Sequence, residues 1–242
     1  MNNILIKCSR YKERILSFIM CVLILSCAFT VGSEVARYTD AKKIHMKKEH
    51  FCVVIDAGHG GDDPGKVGIN GALEKDINLK IAKRLKSLLE AQDIDVVMTR
   101  ETQEGLYDTD ASNKKVQDMK RRIEIIDKAD SIITVSIHQN SYPEEYVHGA
   151  QVFYYADSVE GKKLAGLLQE ALINMVDTEN NRVIKSNDSY YLLKKTATPI
   201  VIVECGFLSN YNEAEKLITE EYQEKIAWAL HMGILRYLSF LN

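Results

Sequence analysis

Between Phe51 and Leu238, short β-branched apolar runs take turns with segments whose apolar residues recur at helical spacing. That alternation restricts the chain to α/β architectures with a largely parallel sheet. A parallel strand pair needs a crossover long enough to hold a helix, and the spacing here supplies one repeatedly. Strand patterns fall at Phe51–Asp56, Ile94–Thr99, Ser131–Ile137, Gly149–Tyr155, Tyr190–Leu193 and Pro199–Val203. From Leu73 to about Glu90, Ile77, Ile81, Leu85 and Leu88 share a helical face; in Lys114–Ala129, Val116, Met119, Ile123 and Ile126 do. Val159–Met175 reads as a third helix, and Asn212–Leu238 as one or two closing helices. The expected fold is a single three-layer α/β domain over residues 51–242, its mostly parallel central sheet flanked by helices.

The first 50 residues have a different character. Lys7, Arg10, Lys12 and Arg14 precede an apolar run from Ile15 to Val31, the pattern of a signal peptide or membrane anchor over residues 1–32. The run is close to the shortest that spans a bilayer. Positive charge stays on the cytoplasmic side, so everything beyond Val31 is expected outside, with residues 33–50 as a tether. Cys27 reads as one more cysteine of the apolar segment. Nine of the 31 Lys/Arg and four of the 34 Asp/Glu lie in residues 1–50, which leaves a net charge of −8 for the rest. An acidic folded part argues against nucleic acid as a partner. Cys52 and Cys205 are too few for a disulfide framework and read as small buried hydrophobes.

Val53-Val54-Ile55-Asp56-Ala57 runs straight into Gly58-His59-Gly60-Gly61, a strand that ends in a glycine-rich turn and presents one histidine. Open α/β sheets carry their ligands at the carboxyl ends of strands. His59 follows the first strand, His138 ends the third and Glu204 ends the last, so three chemically capable residues meet on one sheet edge. His59, His138 and Glu74 form a donor set suited to one catalytic zinc, with the fourth position open to water. Glu74 also fits the acid of a helix N-terminus. Glu204 follows Ile200-Val201-Ile202-Val203; a carboxylate there either pairs with a lysine or stands beside the metal and moves a proton. His148 reads as a surface histidine and His231 as half-buried packing. Tyr154, Tyr155, Tyr190 and Tyr191 read first as packing residues and second as cleft lining.

Four blocks then become recognisable: Ile55-Asp56-Ala57-Gly58-His59-Gly60-Gly61-Asp62-Asp63-Pro64-Gly65; Glu74; Ser136-Ile137-His138-Gln139-Asn140-Ser141; and Val203-Glu204-Cys205-Gly206-Phe207-Leu208-Ser209-Asn210. In this order they resemble the zinc-dependent N-acetylmuramoyl-L-alanine amidases of the type-3 family, over about Phe51 to Leu238. The resemblance implies that His59, Glu74 and His138 bind zinc and that Glu204 is the catalytic glutamate. It implies cleavage of the amide between the lactyl group of N-acetylmuramic acid and L-alanine, with peptidoglycan as substrate. A basic-apolar leader, one catalytic domain and no wall-binding repeats look most like the germination-specific amidases of spore-formers. Those enzymes prepare cortex for muramic-δ-lactam formation, which implies the cell wall or forespore intermembrane space as the site of action. Asn140 and Lys194 are the candidate substrate contacts. Lys194 stands where relatives often carry arginine, and an ammonium cannot replace a bidentate guanidinium. Two other readings stay open: a partner-dependent or inactive wall-binding module, and a zinc deacetylase or peptidase acting on the same polymer.

Overall fold

Strands β1 (Cys52–Ala57), β2 (Asp95–Met98), β3 (Ile133–Asn140), β4 (Gln151–Tyr154), β5 (Lys185–Ser186) and β6 (Ile200–Phe207) form one sheet in the order β2-β1-β3-β6-β4-β5. The computed structural model describes residues 51–241 together with Met20, Ser26 and Thr30. The expected leader, Cys27 and the tether otherwise lie outside the described residues. No helix among the described residues is long and apolar enough to cross a membrane. Strands β2, β1, β3 and β6 are parallel, as expected, and only β4 runs antiparallel to its neighbour β6. The segment from Ser141 to Ala150 that precedes β4 contains no helix, so it cannot serve as a parallel crossover.

Helices α1 (Glu74–Glu90), α2 (Lys114–Lys128), α3 (Val159–Met175), α4 (Tyr191–Lys195), α5 (Tyr211–Leu217) and α6 (Glu220–Leu238) cover both faces. Strand periodicity of two decides which residues meet which layer. Val53 and Ile55 of β1, Val135 and Ile137 of β3, and Val201 and Val203 of β6 point to one face, packed on Ile81 and Leu85 of α1, Leu164 and Leu168 of α3 and Leu230 of α6. Val54, Ile200 and Ile202 point to the other face and pack on Ile126 of α2 and on Leu192 and Leu193 of α4. Each such side chain contributes about 1.5–3 kcal/mol on full burial. Towards the carboxyl ends of the strands this second face changes character: its positions are Asp56, Ser136, His138 and Glu204. The apolar half of the face anchors the sheet, and the polar half is where a site can form.

Three expectations are corrected. Tyr190–Leu193 is the start of α4 and not a strand. The Asn187 side-chain oxygen accepts from the backbone N–H groups of Ser189 and Tyr190 and turns the chain. Leu192 and Leu193 then join the same apolar cluster, which neighbouring residues of a strand cannot do. Strands β3 and β6 also run further than their apolar runs, so His138 and Glu204 lie inside paired strands and not beyond them. They face each other in register, and the pairing then shifts before Asn140 meets Phe207. His231 is 2 % exposed rather than half-buried, and neither ring nitrogen has a hydrogen-bond partner among the described residues.

Burial lowers the pKa of His231. A base whose folded pKa lies below its unfolded value leaves stability intact above that value, about 6.5, and erodes it as the pH falls further. His231→Leu removes this proton sink and two unsatisfied polar atoms. It should raise the thermal midpoint more at pH 5.5 than at pH 7.5, by about 1 kcal/mol of stability. Parallel melting curves for variant and parent at the two pH values would contradict this account.

Candidate metal centre

The turn after β1 is shaped around one imidazole. His59 has φ 62°, a left-handed conformation that non-glycine residues seldom adopt. Gly58 has no room for a side chain: a Cβ there would lie 2.3 Å from the His138 ring. Gly65 is as tight, since its Cβ would lie 2.5 Å from Glu74 Oε2 and 2.7 Å from His59 Cδ2. These two glycines let two histidines and a carboxylate from three separate segments close on one point.

His59 Nε2 lies 3.2 Å and His138 Nδ1 2.9 Å from Glu74 Oε1, and the two rings sit 5.0 Å apart at 78°. One donor atom from each of His59, Glu74 and His138 falls within 4.8 Å of the others. Glu74 is nearly sealed from solvent. Its Oε2 accepts from the Lys66 backbone N–H at 2.7 Å and its Oε1 from the Gln139 backbone N–H at 3.0 Å. His59 Nδ1 hydrogen-bonds Asp63 Oδ2 at 2.9 Å, which turns Nε2 towards Glu74. A carboxylate behind a histidine is the usual support of a metal-binding imidazole. Two nitrogens and one oxygen, each braced and converging on a cleft of about 710 Å³, fit a divalent metal with open coordination. Burial opposes charge on His59, but Glu74 and then Asp63 outweigh it and lift its pKa to about 9.

Glu204 sits beside this cluster and is 7 % exposed, with its Oε2 bonded to nothing among the described residues. Burial raises its pKa; the His138 charge opposes and the Glu74 charge adds, and the carboxyl comes to rest at about 7. A buried, half-titrated carboxylate with one oxygen unsatisfied is costly unless chemistry needs it. Tyr190 faces it, and burial followed by the Glu204 charge pushes the phenol up to about 12.

Beneath the turn lies a scaffold that the amino-acid pattern does not advertise. Arg122, 1 % exposed, reaches from α2 to Asp56 Oδ1 at 2.6 Å, Ala57 O at 2.8 Å and His59 O at 2.6 Å. Arg100 reaches Ala57 O and Gly58 O at 2.9 Å each and Lys75 O at 2.8 Å, which ties the turn to the first turn of α1. Burial, and then the charge of Arg122, lowers the Arg100 pKa to about 10, still cationic at neutrality. Three consecutive carbonyls, 57 to 59, are thus held by guanidinium groups, and His59 stays in its strained conformation.

His59, Glu74, His138, Glu204 and Asn140 all line the same cleft, with Tyr190 and Tyr191. Lys194 does not line it. With Tyr191–Lys195 wound as a helix, Leu192 and Leu193 turn to the core and Lys194 stands in solvent. His148, Tyr154 and Tyr155 are also absent from the cleft wall. Asp63, Arg100 and Arg122 were not anticipated; for Asp63 the available signal was its position four residues after a turn histidine.

Comparison with known proteins identifies the family. The family model for N-acetylmuramoyl-L-alanine amidase matches residues 53–236. The germination-specific N-acetylmuramoyl-L-alanine amidase of Bacillus subtilis is 33% identical over 233 residues, covering 95% of this chain and 97% of its own length. The AmiA amidase of Escherichia coli is 30% identical over 247 residues, 84% of this chain and 80% of its own. Among solved structures, the CwlD amidase from Clostridioides difficile, determined in complex with the GerS lipoprotein, superposes with a TM-score of 0.77 at 42% identity, covering 78% of this chain and 99% of that one. The matched span contains the whole cluster and the scaffold beneath it, and the chain belongs to the N-acetylmuramoyl-L-alanine amidase family.

Proposed function

We propose that His59, Glu74 and His138 hold a zinc ion and that Glu204 moves the protons of amide hydrolysis. The bond cut in this family of peptidoglycan hydrolases joins N-acetylmuramic acid to the L-alanine of the stem peptide. The carrying observation is a braced three-donor cluster with a buried glutamate at its side, one oxygen of which has no partner among the described residues. A zinc ion in that site supplies a Lewis acid that acidifies water and polarises the amide carbonyl. Asp63 keeps His59 in the tautomer that leaves Nε2 free. Glu204 takes a proton from the attacking water, and the same proton passes to the departing L-alanyl amine as the C–N bond breaks. Asn140, on the cleft wall, is placed to contact the substrate.

The likeness to a germination-specific amidase supports a role in spore germination, and with it the removal of stem peptides from cortex before muramic-δ-lactam formation. The likeness to the CwlD amidase supports a lipoprotein as a binding partner. The basic-apolar segment of residues 1–32 supports export, with residues 33–50 as tether and residues 51–242 as the catalytic domain. Digestion of peptidoglycan by the zinc-loaded protein, followed by mass spectrometry, tests the reaction. Intact stem peptides and peptide-free muramic acid are expected. Loss of acetyl groups would point to a deacetylase, and shortened peptides to a peptidase.

Metal uptake has its own signature. Without metal, His59 holds its proton up to about pH 9. An incoming ion must displace that proton, so apparent affinity should climb as the pH rises from 6 towards 9. Titration calorimetry in buffers of different ionisation heat should show about one proton released per zinc. Heats that do not depend on the buffer would count against His59 as a ligand. His138→Ala should bind less than one zinc per chain.

A further inference from the structure

Most charges on the cleft wall are already committed to other groups of the protein. Asp56 is paired with Arg122, Asp62 with Lys114, Asp63 with His59, Glu74 with both histidines, and Asp118 with Arg122. Two exposed cations on that wall, Lys66 and Lys115, make no hydrogen bond or ion pair with their side chains among the described residues. Their placement is not explained by stability. Lys114 and Lys115 open α2, whose first turn holds no acid, so both ammonium groups stand at the positive end of the helix dipole. Lys114 is paired with Asp62 at 2.6 Å, whereas Lys115 makes no close ion pair among the described residues and acts on Asp63 only at longer range. Lys66 leaves the loop whose backbone N–H holds Glu74 Oε2, so its side chain starts next to the metal cluster. Beside the cluster the wall thus offers two ammonium groups that no close carboxylate of the protein holds.

The substrate has two arms. The sugar arm is neutral near the scissile amide, whereas the stem peptide beyond L-alanine carries free carboxylates. We propose that Lys66 and Lys115 form a carboxylate subsite that binds the stem peptide just past L-alanine and so sets which arm of the substrate lies on which side of the cleft. This rests on the amidase reading and deepens it. An anion there would neutralise both lysines and meet the α2 dipole favourably. The subsite selects stem peptides by charge: a free carboxylate at the residue after L-alanine is favoured over its amide.

The test uses the zinc-loaded full chain and two muramyl peptides that differ only in that carboxylate or carboxamide. The parent should show a lower KM for the acid. Lys66→Gln and Lys115→Gln should each raise KM for the acid roughly three- to tenfold, with kcat, zinc content and KM for the amide unchanged. Lys115→Glu should raise it further, again for the acid alone. Added salt should weaken acid binding in the parent and much less in the double variant. Equal KM values for acid and amide in the parent would overturn the subsite while leaving the amidase reading intact, as would equal KM increases on both substrates in the variants. A zinc-loaded parent that cleaved neither substrate would overturn the amidase reading and the subsite together.

Discussion

Glu204→Gln is expected to retain its fold and its metal yet hydrolyse muramyl peptides about 10²–10⁴-fold more slowly, with the loss in kcat. The exchange keeps volume and shape and removes the one function the geometry assigns to this carboxylate, taking up and giving back a proton. Its environment is tuned for that task. Burial lifts the pKa to about 7 in the absence of metal, and one oxygen has no partner to hold it. The positive charge of a divalent ion alongside acts in the opposite sense and favours the ionised form, so the group is basic at neutral pH when the metal is bound. Stability should not fall, because a buried carboxylate without a counter-ion costs free energy that an amide does not. Zinc content, thermal unfolding and kcat measured on one preparation check all three expectations. Undiminished kcat with one zinc per chain would remove Glu204 from the mechanism.

Some of this site was legible because strands impose a simple rule. Asp56, Ser136, His138 and Glu204 share a face by period two, and the apolar runs before them mark the strands that carry them. Glu74 was legible as the acid that opens a helix. Arg122 was not. It is one of two adjacent arginines on an amphipathic helix, and only the helical phase decides that Arg121 reaches Asp108 at the surface while Arg122 enters the core. Its partner Asp56 lies 66 positions away, a separation at which residue spacing carries no information. Gly58 and Gly65 looked like turn residues, and only the assembled site shows that they clear space for His138 and Glu74. The misread stretch Tyr190–Leu193 has a local cause: four residues are too few to separate a period of two from one of 3.6. Lys194 came from the family resemblance, and its exposed position off the cleft follows from α4 being a helix.

Severing the link between Arg122 and Asp56 should be the most damaging single change to stability. Both groups are buried, at 1 % and 0 % exposure, and their contact is 2.6 Å. Burial alone would raise the Asp56 pKa, but the Arg122 charge, with hydrogen bonds from Ser136 and Thr99, holds it at about 2. Arg122→Met leaves that carboxylate buried with two neutral donors and releases the carbonyl of His59, while that of Ala57 keeps only Arg100. The expected cost is about 3–5 kcal/mol. For a domain of this size it lowers the thermal midpoint by roughly 6–20 °C. The pH dependence identifies the cause. In the parent, Asp56 has a folded pKa below its unfolded value, so its contribution is complete above about pH 4 and fades as the pH falls towards 2. In Arg122→Met the carboxyl can relieve its burial by taking a proton, so the gap between variant and parent should be widest near neutrality and narrow in acid. Asp56→Asn combined with Arg122→Met should recover part of the loss, because no buried charge is then left alone. Simple additivity of the two single changes would show that the pair is not the source of the stability. The freed His59 carbonyl adds a second consequence, weaker metal binding in any Arg122→Met protein that remains folded, since the strained turn that aims the imidazole has lost its anchor.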